Sequence, residues 1–217
     1  MPKNTIILFD LDGTLIDSTE AILESFKMAY SKLGNEVPHS NTIKSLIGLP
    51  LDIMFSRLGV KDKNINPYVQ AYKMHYRTIH TVKTTLLPGA HEAVVNAARF
   101  AHLGVVTTKT AQYSRELLEY FEMMKYFDVL IGREDVTHPK PHPEPIQKAI
   151  KKLPEVAGSA YMIGDTCMDM EAAKSAKAVG VGVLCGYSSW SDLNKCTEYI
   201  VDNATEAVNT ITKEIKI

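Results

Sequence analysis

Residues 6–15 read Ile6-Ile7-Leu8-Phe9-Asp10-Leu11-Asp12-Gly13-Thr14-Leu15, and the fold is decided here. Ile6 to Phe9 is a continuous apolar run rather than an alternating one, so the expected strand is buried on both faces, as in a parallel sheet covered by helices. Asp10 and Asp12 end the run, and Gly13 permits the tight backbone departure that frees both carboxylates. Similar runs recur at Leu103 to Val106, Val129 to Ile131, Tyr161 to Ile163 and Val181 to Leu184, with helical spacing between them. Strands alternating with helices predict an α/β fold with right-handed crossovers.

One segment breaks this rhythm. From Asp17 to about Val82 the spacing is helical: Ile22, Phe26, Tyr30 and Leu33 close at Gly34, Leu51, Met54, Phe55 and Leu58 close at Gly59, and Tyr68, Tyr72, Tyr76 and Ile79 follow. An all-helical domain over 17–82 is expected, inserted into an α/β core made of 1–16 and 83–217. Pro88-Gly89 marks the turn into a helix from Ala90. Two short crossings allow a hinge, and a hinged helical lid is a common cover for a reactive site.

Composition narrows the partners. Hydrophobic residues at 45% and charged residues at 23% are ordinary globular values. The 24 basic and 25 acidic residues give a net charge of -1, which speaks against nucleic acid as a partner. No apolar run is long enough for a bilayer, so no membrane partner is expected. Cys167, Cys185 and Cys196 are odd in number and lack Cys-x-x-Cys spacing. Neither a disulfide nor a zinc site is expected from them, and a reducing, cytoplasmic location fits best.

In an open α/β sheet, ligands sit beyond the carboxyl ends of the strands, and four motifs fall there. Asp10 and Asp12 end the first run. Thr107, followed by Thr108, ends the run from Leu103 and offers a hydroxyl to a phosphate oxygen. Lys140 stands in His138-Pro139-Lys140-Pro141-His142-Pro143-Glu144-Pro145, where prolines stiffen a loop able to aim one ammonium inward. Asp165 follows Tyr161 to Ile163 in Gly164-Asp165-Thr166-Cys167-Met168-Asp169, with Asp169 one helical turn on, suited to supporting a metal-bound water or orienting Lys140. Each motif alone reads as a turn or a cap. Together they are far harder to dismiss.

In this order the motifs resemble those of the haloacid dehalogenase superfamily, specifically its phosphatases with a small helical cap after the first motif, the phosphoglycolate phosphatase-like group. The resemblance covers nearly all 217 residues. It implies a Rossmann-like core and hydrolysis of a small phosphorylated substrate, a phosphoglycolate-like monoester, through an aspartyl-phosphate on Asp10. A phosphate dianion repels a carboxylate nucleophile, so a divalent cation should bridge them, and an all-oxygen site suits Mg2+. The resemblance gives Asp10, Asp165 and Asp169 to the metal, with Asp12 through its backbone carbonyl. It makes Asp12 the general acid and base, with Thr107 and Lys140 stabilising the transferring group. Gly13, Thr14, Thr107, Thr108 and Lys140 would contact substrate, and Gly48 in the cap loop Ile47-Gly48-Leu49-Pro50-Leu51 would approach it closely. Two departures stand out: Thr108 where Asn is frequent, and Lys177 where a glycine is usual after the fourth motif.

The rival chemistries fare less well. A dehalogenase has no need of Asp12. A phosphomutase of the beta-phosphoglucomutase type tends to carry a basic cap residue shortly after Gly48, and this chain does not. Phosphonoacetaldehyde hydrolysis needs a Schiff-base lysine, for which Lys44 is the nearest candidate. Inorganic pyrophosphate stays open as a substrate. A non-catalytic binding module should have lost one of Asp10, Asp12, Lys140 or Asp165. The remaining expectations are a monomer or weak homodimer, surface positions for His138 and His142, Cys167 as a small helix-start residue, and packing roles for Trp190 and the cap tyrosines.

Overall fold

The computed structural model describes residues 3–215; residues 1–2 and 216–217 of the expected core lie outside the described residues. The first strand, β1 (Ile6–Phe9), is wholly buried, and its side chains divide between two cores. Ile7 and Phe9 enter one cluster, and Ile6 and Leu8 enter the other. An apolar run without alternation is what a strand covered on both faces requires.

The chain leaves β1 through a two-residue strand, β2 (Ile16–Asp17), and enters four helices: α1 (Thr19–Lys32), α2 (Ser40–Lys44), α3 (Leu51–Arg57) and α4 (Asp62–Ile79). It returns through β3 (Thr85–Leu86), which pairs antiparallel with β2, so the outgoing and returning crossings are stitched together. The four helices keep their own core. Phe26 and Phe55 pack at 4.7 Å, and Tyr30 and Tyr68 at 4.9 Å between ring centroids. Tyr113 and Tyr187, from outside the insert, pack against this cluster.

After β3 come α5 (Ala90–Ala97), β4 (His102–Val106), α6 (Ala111–Tyr120), β5 (Val129–Ile131), α7 (Glu144–Lys152), β6 (Ala160–Gly164), α8 (Cys167–Ser175), β7 (Val179–Val183), α9 (Trp190–Leu193), β8 (Tyr199–Val201) and α10 (Ala204–Ile215). The large sheet has the order β5-β4-β1-β6-β7-β8, and every pairing in it is parallel. Val94 of α5, Leu117 of α6 and Val208 of α10 cover one face. Ile146 of α7 and Ala172 of α8 cover the other. This is the expected α/β architecture, with β1 between β4 and β6. The chain runs outward from β1 on one side through β4 and β5, then on the other through β6, β7 and β8. The carboxyl ends of β1, β4 and β6 therefore flank the crevice where the winding direction reverses.

Two expectations are corrected. Cys167 and Cys196 form a disulfide across 29 residues with Cα atoms 5.7 Å apart, leaving Cys185 free. Sequence spacing does not report this proximity: Cys167 opens α8 and Cys196 follows α9, and the fold brings the two helices together. Trp190, expected to pack, is 57% exposed at the start of α9. Among the described residues, no helix is long and apolar enough to cross a membrane.

Candidate active site

Asp10 follows β1 directly, and its N–H donates to the Ile163 carbonyl of β6 at 2.8 Å, which carries the strand geometry up to the carboxylate. Lys140 enters from the proline-stiffened loop before α7. Its ammonium is buried and lies 2.9 Å from Asp10 Oδ1, 2.5 Å from Asp169 Oδ1 and 2.9 Å from the Val106 carbonyl. Asp169 sits in the first turn of α8, where its Oδ2 accepts from the Thr166 N–H and hydroxyl at 3.2 and 2.7 Å, a capping box. One of its oxygens thus fixes the helix start, and the other holds Lys140.

Asp165 directly follows β6 and is fully buried. Its Oδ2 accepts from the Tyr187 N–H at 2.8 Å, and Oδ1 has no partner. Carboxylate oxygens of Asp10, Asp165 and Asp169 lie within 4.8 Å of one another. A buried acceptor without a donor is costly, and three converging carboxylates repel, so the set fits a cation. Oxygen-only donors suit a hard ion such as Mg2+. Gly13, at φ +80°, lies against this cluster, and a Cβ there would fall on the Asp165 carboxylate.

The electrostatics carry the same signature. Burial pushes the Asp10 carboxyl up to about 7; Lys140 pulls against this, and Asp169 reinforces it. Asp165 is held well above the usual carboxylate range by burial first, then by Asp10 and Asp169. Burial pushes the Lys140 ammonium down, but Asp10 and Asp169 outweigh it and keep the group firmly protonated.

Asp12 points elsewhere. Its Oδ1 accepts from the Ser18 hydroxyl at the start of α1, and its Oδ2 lies 3.2 Å from the Lys109 ammonium. Lys109 also donates to the Tyr76 hydroxyl of α4 at 2.8 Å. Sequence reasoning missed Lys109 and Ser18. The signal for Lys109 was available, since it lies two residues beyond Thr107 at a strand end. Thr107 is buried after β4, where its Oγ1 accepts from the Lys109 N–H at 3.1 Å. Thr108 donates instead to the Gly48 carbonyl at 2.8 Å, so its hydroxyl ties the cap loop to the core. Thr14 is buried with an unpartnered hydroxyl. Gly48, at φ +104°, and Leu49 join Asp12 around a cavity of about 280 Å3 between the helical insert and the sheet. Tyr72 and Tyr76, expected mostly to pack, line it too.

Comparison with known proteins agrees with this arrangement. Residues 7–183 match the family model described as haloacid dehalogenase-like hydrolase. A phosphoglycolate phosphatase of Aquifex aeolicus is 31% identical over 185 residues, covering 84% of this chain and 85% of that one. A pyrophosphatase of Halalkalibacterium halodurans is 32% identical over 177 residues, covering 81% of each. A haloacid dehalogenase-like family hydrolase from Streptococcus pneumoniae superposes with a TM-score of 0.83 at 28% identity, covering 97% of this chain and all of the other. With the matched segment running from β1 through β7 and so taking in all four motifs, the chain belongs to the haloacid dehalogenase-like hydrolases.

Proposed function

We propose that this hydrolase cleaves small phosphate monoesters with Mg2+ through an aspartyl-phosphate on Asp10. The observation that carries the reading is the meeting of Asp10, Lys140 and the unpartnered oxygen of Asp165 beyond the ends of β1, β4 and β6. Asp10, Asp165 and the Asp12 backbone carbonyl would hold Mg2+, with Asp169 beside them. Once bound, the ion supplies charge neutralisation between nucleophile and phosphate.

A carboxylate oxygen of Asp10 attacks phosphorus in line, and the bond from phosphorus to the ester oxygen breaks. Asp12 acts as the general acid that delivers a proton to the departing oxygen. Lys140 and the Thr107 hydroxyl stabilise the oxygens of the transferring group, assisted by the N–H groups of residues 11–14. Water then attacks phosphorus and passes a proton to Asp12. Phosphate leaves, and the Asp10 carboxylate is restored.

Hydrolysis is favoured over transfer between sugar positions because the loop at Gly48 and Leu49 carries no cation into the cavity. The relatives' names, phosphoglycolate phosphatase and pyrophosphatase, support small phosphates as substrates. The cap over Asp12 supports the same reading against phosphoproteins, and we assign a monomer or weak homodimer. Against a reducing cytoplasm stands the Cys167–Cys196 bond, because such bonds persist in oxidising compartments. The reading is tested by trapping acid-stable label on Asp10 from a 32P-labelled ester with Mg2+. Turnover without label on Asp10 under rapid quench would refute the covalent route.

A further inference from the structure

The cavity beside Asp12 bears on what leaves with the ester oxygen, and this inference rests on the phosphatase reading. At about 280 Å3 it approaches the lower bound of roughly 300 Å3 for pockets that enclose drug-sized ligands. Glycolate, or a second phosphate, would fill only a fraction of it. Its walls are apolar and aromatic, with Ile47, Leu49, Met54, Val69, Tyr72 and Tyr76 among them. The Tyr72 and Tyr76 rings are stacked, 5.4 Å apart with an interplanar angle of 13°.

Charge decides between the candidate occupants. Lys109, the buried cation of the cavity, is already engaged by Asp12 and by the Tyr76 hydroxyl. Lys73, Arg133 and Asp52 also line the cavity and are half-buried, so water screens their charges. A carboxylate or a second phosphate on the leaving group would therefore lose its water beside Asp12 and the apolar walls, with only the screened charges of Lys73 and Arg133 to offset that loss and Asp52 opposing it. A planar uncharged ring loses little on entry and packs against aromatic faces and edges.

We infer that the preferred substrate is a phosphate monoester whose leaving alcohol carries an uncharged planar ring. The assay compares kcat/KM, with Mg2+, for 2-phenylethyl phosphate, ethyl phosphate, 2-phosphoglycolate and inorganic pyrophosphate. The first three are alkyl esters, which keeps differences in leaving-group acidity small. The ring ester is expected to lead every other by at least tenfold. Equal or better turnover of phosphoglycolate or pyrophosphate overturns the inference and leaves the phosphatase reading standing.

Val69→Trp, which fills the cavity from α4, should lower the ratio of phenylethyl to ethyl turnover at least tenfold, and Val69→Phe serves if the larger ring prevents folding. An unchanged ratio in the folded variant removes the ring from this cavity. Calorimetry on Asp10→Asn protein supplies a readout without chemistry, with the ring ester expected to bind at least tenfold tighter than phosphoglycolate. If wild-type protein hydrolyses no ester while this preference holds, the phosphatase reading falls and the ligand class stands. If the preference is absent, the ligand class falls.

Discussion

Asp10 and Asp12 lie two residues apart, yet the fold gives them different company. Asp10 is buried against Lys140, while Asp12 faces the cap with one oxygen on Ser18 and the other near Lys109. Substitution should separate them. Asp10→Asn is expected to leave less than about a hundredth of kcat and to weaken Mg2+, because an amide is neither nucleophile nor good ligand. Asp12→Asn should keep Mg2+ binding, since its carbonyl survives, and lose roughly 10²- to 10⁴-fold in kcat. Equal loss of metal in both, by titration calorimetry, would contradict the division of roles. A second prediction concerns pH. Asp10 and Asp165 both titrate above their unfolded values, Asp10 rising from 3.8 to about 7. Between those limits the folded chain keeps protons that the unfolded chain has lost, so metal-free stability falls as pH rises through that window. On the proposed reading Mg2+ would replace the protons, and the rise in Tm it causes should be larger at pH 8 than at pH 5.5. A larger rise at the acidic end would place the metal elsewhere.

Among the elements, α8 carries the plainest local conflict. It ends in a Schellman motif, in which the Ala178 N–H reaches the Ala173 carbonyl at 2.9 Å and the Lys177 N–H reaches that of Lys174 at 3.1 Å. Lys177 occupies the left-handed position, φ +62°, that favours glycine. Lys177→Gly should stabilise the folded chain by up to about 1 kcal/mol, the relief of left-handed strain exceeding the added freedom of the unfolded chain. A lowered midpoint in urea would count against this account. The elements also divide by how far the sequence discloses them. The run Ile6 to Phe9 announced β1 because burial on both faces leaves no polar position, and the spacing of Phe26, Phe55 and Tyr72 announced α1, α3 and α4. Among the elements that escaped, α2 buries only Ile43, β2 and β3 exist only through their mutual pairing, and β8 lies at the sheet edge with Tyr199 exposed. Asp10 and Asp165 were legible because strand ends fix where they emerge, and Lys140 because prolines stiffen its loop. The Lys109 contacts and the Cys167–Cys196 bond were not, since each depends on elements meeting across the fold.

For the whole molecule, the sheet supplies the charged site and the helical insert covers it. Chelation is the broadest test of that division. EDTA should abolish turnover and lower Tm, and Mg2+ should restore both. Ca2+ should restore Tm but not turnover, because its larger and more variable coordination shell misplaces Asp10 relative to phosphorus. Full activity after exhaustive chelation would point to metal-free chemistry.

Among the contacts that hold cap to core beside the cavity are Thr108 to the Gly48 carbonyl and Lys109 to the Tyr76 hydroxyl. Both must loosen for cap and core to part, so on the proposed reading opening would be a kinetic step in its own right, distinct from bond breaking. If the chemistry is fast, this gate would set the enzyme's clock, and kcat should fall in proportion to added microviscosity from sucrose. Thr108→Val, which removes one latch, should weaken that dependence. A kcat indifferent to viscosity in the wild-type enzyme would mean that the clock lies in the chemistry.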